Sequence, residues 1–260
     1  MTTKTISIGG LGWLGNFIAN HFKEKGYSIK ATTTTPSKLP EFESEGYKGF
    51  LFNIDSDEPM NEDFIISPIH ILCIPPSKIK GDYSHAIKKY VEQLDPETIL
   101  FFISSTSVYP EISGNYLEKD ESGHGKMLQA EKAIASKIKK HFILRCSGLI
   151  GPNRDPGNFL AGRTALKGPF SSVNLIHAMD ICTVIEKLIP SKIHGIYNVS
   201  VTAPLNKKEF YTKASRKISN APPQFDMKSE SHKRIIDTKK VELLTKVDFR
   251  FTKAYFNLLG

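Results

Sequence analysis

Apolar positions recur along the chain with two alternating periods. Thr5-Ile6-Ser7-Ile8 alternates as a strand does and runs into glycines. From Leu14 the spacing turns helical, with Leu14, Phe17, Ile18 and Phe22 sharing one face and Gly26 as the stop. Tyr27 to Ala31 and Gly49 to Asn53 read as a second and a third strand. Ile69 to Ile74 is nearly all apolar, as a strand covered on both faces should be. Asp82 is placed to cap a helix whose apolar face is Tyr83, Ile87, Tyr90, Val91 and Leu94, with Asp95-Pro96 ending it. Thr98 to Ile103 reads as a buried strand, Met127 to Ile138 as a helix and Phe142 to Arg145 as a strand. Asp180 is placed to cap a helix presenting Ile181, Val184, Ile185, Leu188 and Ile189, and Gly195 to Val199 closes the series.

Strands alternating with helices in this way predict an α/β fold, a doubly wound parallel sheet with helices on both faces. After Val199 the pattern loosens. Asn206 and Glu209 have the spacing of a capping box opening a helix through Ile218. Asn220-Ala-Pro-Pro-Gln224 reads as a linker, and Asp237 as the cap of a final helix through Leu244. No internal repeat is present.

The first strand runs into Gly9-Gly10-Leu11-Gly12-Trp13-Leu14-Gly15, which fits G-x-G-x-x-G and also G-x-x-G-x-x-G. A strand before it and an amphipathic helix after it give the pattern its meaning. One glycine permits the tight turn, another lets the backbone approach a diphosphate, and a third lets helix and strand pack closely. The helix N-terminus then faces the negative charge. A turn without a ligand is the rival reading, and the context favours dinucleotide binding.

NAD usually finds a carboxylate at the end of the second strand, for the ribose hydroxyls. Here the stretch is Ala31-Thr32-Thr33-Thr34-Thr35-Pro36-Ser37-Lys38, with no acid. Thr33, Thr34 and Lys38 can instead receive the extra phosphate of NADP, so NADP is preferred over NAD. Asp55 is a candidate for the adenine, with a plain turn aspartate as the alternative.

The whole chain has 260 residues and a formal net charge of +8. From Asn206 onward, 13 Lys/Arg less 6 Asp/Glu leave +7 of that charge. Charge alone would suggest nucleic acid, but the lysines are scattered between core positions. A solvated surface is the expectation, with no nucleic-acid partner. Cys73, Cys146 and Cys182 are an odd set with no C-x-x-C, so neither a disulfide framework nor a metal cage is expected. No stretch of 18 apolar residues and no signal-like N-terminus occurs, so the expected setting is cytoplasmic and reducing, without a membrane.

Ser104-Ser105-Thr106-Ser107-Val108-Tyr109, after a buried strand, resembles the extended short-chain dehydrogenase/reductase group, in particular atypical members of the NAD-dependent epimerase/dehydratase family. Five further stretches agree in order: the glycine loop, Ile74-Pro75-Pro76 after the fourth strand, Arg145 to Pro152 as R-x-x-x-x-x-G-P, Ile176-His177 with Asp180, and Tyr197-Asn198-Val199. The resemblance implies a Rossmann-type fold, with residues 1–200 as the dinucleotide-binding domain, 151–176 as a substrate-side excursion and 201–260 as a small C-terminal substrate region. It implies a nicotinamide cofactor held along Gly9, Gly10, Gly12, Trp13, Leu14, Gly15, Ile74, Pro75 and Pro76. It also implies a small-molecule substrate, often a nucleotide-sugar, and a homodimer.

Chemistry in this family uses a Ser or Thr together with Tyr and Lys spaced Y-x-x-x-K. Ser105 matches the serine, with Thr106 as its neighbour. None of the nine tyrosines is followed four residues later by lysine. Without a gap the family Tyr and Lys fall on Gly123 and Met127, neither of which transfers a proton. A positioned acid/base contributes typically 10²- to 10⁴-fold. Candidate substitutes are His124, Lys126 and Tyr109. Tyr109, Asn158, Arg163 and His177 are candidates for the substrate side. Three readings follow: an NAD(P)-dependent oxidoreductase of the epimerase/dehydratase type acting on a hydroxyl or keto compound, a cofactor-binding protein with little or no catalysis, and, carried by charge alone and ranked last, nucleic-acid binding through the basic C-terminal region.

Overall fold

Every strand expected from the alternation forms in the computed structural model, which describes residues 4–121 and 125–259. In chain order the elements are β1 (Thr5–Gly9), α1 (Trp13–Glu24), β2 (Ser28–Thr33), α2 (Leu39–Ser44), β3 (Lys48–Leu51), α3 (Glu62–Ile65), β4 (Ile69–Leu72), α4 (Tyr83–Glu92) and β5 (Ile99–Ser105). Then come β6 (Gly114–Tyr116), α5 (Lys126–Lys137), β7 (Lys140–Cys146), β8 (Gly148–Ile150), β9 (Asn174–His177), α6 (Ala178–Leu188) and β10 (Gly195–Val199). The chain ends through β11 (Val201–Thr202), α7 (Lys207–Lys217), β12 (Arg234–Ile236), α8 (Lys239–Thr245) and α9 (Arg250–Asn257).

The main sheet has seven strands in the order β10-β7-β5-β4-β1-β2-β3. The pairs from β3 through β5 are parallel. The order reverses direction at β1, between β2 and β4. In open sheets of this kind ligands bind outside the carboxyl ends of the strands at such a switch point. The glycine loop leaves β1 at that point.

Two compact units divide the described residues, 4–108, 125–144 and 185–196 in one, and 109–121, 145–184 and 197–259 in the other. The division falls inside β7, inside α6 and inside β10. In the first unit Phe64, Leu72, Tyr90, Phe102, Ile134 and Ile143 belong to one buried cluster. The second unit holds two small sheets, β11-β9-β8 and β12-β6. Its own cluster gathers Ile150, Leu175, Phe210, Ala214 and Phe256.

Caps show where local sequence and tertiary structure part. Asp82 accepts from the His85 amide and Asn206 forms the capping box with Glu209, both as expected. Asp180 does not cap its own helix, because α6 begins at Ala178. Its carboxylate instead accepts from the amides of Phe251 and Thr252 and the Thr252 hydroxyl, and so caps α9. Asp237 accepts from the Lys239 amide just ahead of α8. The 220–224 stretch is pinned rather than loose: Gly162 and Leu166 donate to the Ala221 and Gln224 carbonyls, and the Gln224 amide donates to the Arg163 carbonyl.

Candidate functional site

The three glycines of the loop divide the work by what a side chain would meet at each. Gly10 has φ +87°, and a Cβ there would lie 2.7 Å from Cγ1 of Ile74. A Cβ on Gly15 would lie 2.7 Å from the Gly10 carbonyl oxygen, so the first turn of α1 packs directly on the loop. At Gly12 a Cβ would meet nothing within 4 Å. Gly12 is the N-cap of α1, with no side-chain cap, and the first helical turn carries no acid. The positive end of the helix dipole therefore lies at this turn with neither an acid nor a cap side chain of the helix's own to offset it. This cradle fits a diphosphate.

Thr32 braces the loop from β2. Its hydroxyl accepts from the Gly10 amide at 2.9 Å, and its carbonyl accepts from Leu11 at 3.1 Å. Sequence reasoning singled out its neighbours. Strand alternation places Thr32 on the face of Ser28 and Lys30, so its burial comes from the turn of the glycine loop packed over it and not from the period of β2. Thr33 accepts from the Thr35 amide, while Thr34 and Lys38 are exposed on the turn that follows. Trp13 packs edge-on against Phe17, and Leu14 is buried. Asp55 receives the amides of Lys80 and Gly81, which ties down the loop after Pro75-Pro76. Ile74 faces Gly10, and its carbonyl accepts from the Tyr83 hydroxyl.

At the end of β5, Ser105 is half-buried and its hydroxyl accepts from the Ser107 amide at 3.1 Å. Thr106 is buried. Ser104, beside Ser105, donates to the carboxylate of Glu131, which is only 1% exposed. Sequence reasoning passed over this pair because Glu131 sits in an ordinary-looking helical turn. Lys126 is exposed at the first position of α5, and Met127 packs against the apolar core of the first unit. His124 lies outside the described residues.

In the second unit Tyr109 turns out to be locked. Its hydroxyl donates to Asn198 at 2.6 Å and accepts from Arg145 at 3.0 Å, and its ring stacks on Tyr116. Burial raises its pKa against the opposing pull of Arg145. The hydroxyl's proton and one of its lone pairs are occupied, so an acid/base role for Tyr109 would require breaking its bond to Asn198. Arg145 is fully buried and also meets the Glu118 carbonyl and the Glu121 carboxylate. The R-x-x-x-x-x-G-P arginine is thus the hub of a hydrogen-bonded core.

His177 stacks on Phe251 at 5.5 Å, and its Nδ1 accepts from the Met179 amide. That bond places the ring proton on Nε2. Burial lowers its pKa, so the imidazole is neutral near pH 7. Asn158 accepts from the side chain of Asn220, and Arg163 is exposed. Among the described residues no cluster of three His, Cys, Asp or Glu could hold a metal, and no helix is long and apolar enough to cross a membrane.

Sheet order, switch point and glycine cradle together define a Rossmann-type α/β protein with the fold of the epimerase/dehydratase enzymes. Protein YeeZ of Escherichia coli K12 is 28% identical over 255 residues, covering 92% of this chain and 93% of its own length. The solved UDP-N-acetylglucosamine 4-epimerase of Bacillus cereus superposes with a TM-score of 0.72 at 15% identity, covering 99% of both chains. MoeE5, solved in complex with UDP-glucose and NAD, gives 0.71 at 12% identity, covering 96% of this chain and 99% of its own. No family model matches the chain.

Proposed function

We propose that this chain binds a nicotinamide dinucleotide, NADP in preference to NAD, and acts as an oxidoreductase of the epimerase/dehydratase type on a hydroxyl or keto compound such as a nucleotide-sugar. The observation that carries the reading is the uncapped N-terminus of α1 behind Gly12, where a Cβ would meet nothing within 4 Å. The amides of that turn would hold the diphosphate. Thr33, Thr34 and Lys38 would receive the ribose phosphate, and Ile74 with Pro75 would border the adenosine half. When bound, the nicotinamide ring supplies or accepts hydride. Ser105 would orient the substrate oxygen. The likeness to the UDP-N-acetylglucosamine 4-epimerase and to MoeE5 supports the reading at the level of fold.

A second reading has its own observation. Met127 packs partly buried against the core where the ungapped family lysine falls, the Tyr109 hydroxyl is bonded to Asn198 and Arg145, and Lys126 faces solvent. A binding protein with little catalysis has this composition. Calorimetric titration with NADP and NAD, then NADPH with a panel of nucleotide-sugars and carbonyl compounds, separates the two. Turnover that falls at least 100-fold in Ser105→Ala supports the enzyme. Tight NADP binding without turnover across the panel supports the second reading. NAD binding tenfold tighter than NADP would overturn the assignment of Thr33, Thr34 and Lys38.

A further inference from the structure

Two buried tyrosines of α4 support the glycine cradle, Tyr90 directly and Tyr83 through Ile74. Tyr90 is 0% exposed, and its hydroxyl lies 2.9 Å from the place a Cβ on Gly9 would occupy. The same hydroxyl is held at 3.3 Å by Nδ1 of His70, whose Nε2 lies 3.0 Å from the Ile65 carbonyl. The second hydroxyl, of Tyr83, donates at 2.9 Å to the carbonyl of Ile74. Ile74 in turn places its side chain against Gly10. One tyrosine thus sits under the last residue of β1, and the other fixes the wall that faces the turn. The Cys73 amide, bonded to the Gly9 carbonyl at 2.8 Å, joins the two supports. Burial keeps both phenols protonated, so each remains a neutral hydrogen-bonding group.

A buried ring needs no hydroxyl to fill a core, and a phenylalanine would fill either space without a polar group to satisfy. We infer that Tyr90, oriented by His70, and Tyr83 are positioning residues that hold the glycine turn in the shape a diphosphate requires. The inference rests on the cofactor reading for its consequence in binding, and on the turn itself for its structure. Pre-set amides bind an anion without ordering cost, so a loosened turn weakens affinity even where the fold survives.

Tyr90→Phe and Tyr83→Phe keep the ring and remove only the hydroxyl. Tyr47→Phe is the control, because that hydroxyl bonds Asn20 and does not approach the loop. Hydrogen exchange of the peptide spanning Gly9 to Gly15 is measured on the full chain without ligand, beside NADP titration and thermal unfolding. In both loop variants the peptide should exchange faster than in wild type or Tyr47→Phe, and NADP should bind about tenfold more weakly, because the bond to His70 or to Ile74 is what fixes each support against the turn. Exchange unchanged in both variants would overturn the inference whether or not NADP binds. Faster exchange in the two variants, with a wild-type chain that binds neither dinucleotide, would uphold the structural role and sink the cofactor reading instead.

Discussion

Single residues decide whether the cradle is open. Gly12 and Gly15 look alike in the sequence and differ in what surrounds them. Gly15→Ala drives its methyl to 2.7 Å from the Gly10 carbonyl oxygen, so it should cost about 1–3 kcal/mol and distort the turn. Gly12→Ala enters open space and should leave the urea midpoint unchanged while weakening NADP at least tenfold. Equal stability losses in the two variants would refute this division of roles. His70 gives a pH signature. Burial lowers its pKa from 6.5 to about 4 in the folded chain. The unfolded chain therefore takes up the proton first, and acid favours unfolding across that window. The contribution is full above pH 6.5 and lost by about pH 4, on the order of 3 kcal/mol. Urea unfolding across that range should show a shallower acid limb for His70→Gln than for wild type. The glycine pattern was legible from local spacing. Thr32 was legible only in hindsight, because strand alternation places its hydroxyl and the turn decides what it meets.

At the scale of elements, α9 shows what local patterning misses. Its N-cap, Phe249, is buried with φ +46° and offers no capping oxygen, so nothing in its own sequence announces a helix start. The missing acceptor comes from Asp180, which accepts the Thr252 amide at 2.8 Å and the Thr252 hydroxyl at 2.6 Å. Asp180→Ala should cost about 2–3 kcal/mol by stranding two buried donors, and Asp180→Asn less, since one acceptor oxygen remains. Chemical denaturation measures both. If Asp180→Ala unfolds at the wild-type midpoint, the remote cap contributes nothing. The helices with their own caps, α4 and α7, were legible because Asp82 and Asn206 act within a single turn.

For the whole molecule, the charge is the property most open to misreading. Of the +8, +7 arises from Asn206 onward, spread over α7, α8, α9 and their connections. Acids are interspersed, as in the Lys253–Asp248 pair at 2.6 Å. Oligonucleotide retention should therefore be weak and abolished near 0.2 M salt. Specific retention persisting above that concentration would reopen the nucleic-acid reading. The two units are likewise a property of the whole, since each is assembled from three separated stretches of chain.

The sequence by itself determined the alternating strands and helices, the glycine turn at the end of β1, the local caps and the missing Tyr-x-x-x-Lys pair. All of these are short-range, set by which residues stand within a turn or a strand of one another. Only the tertiary structure decided that Tyr109 is spent on Arg145 and Asn198, that Asp180 serves a helix about 70 residues away, and that Tyr83 and Tyr90 underpin the cradle. A buried polar group must find its partner wherever the fold brings one, and that partner is set by three-dimensional proximity rather than by spacing along the chain.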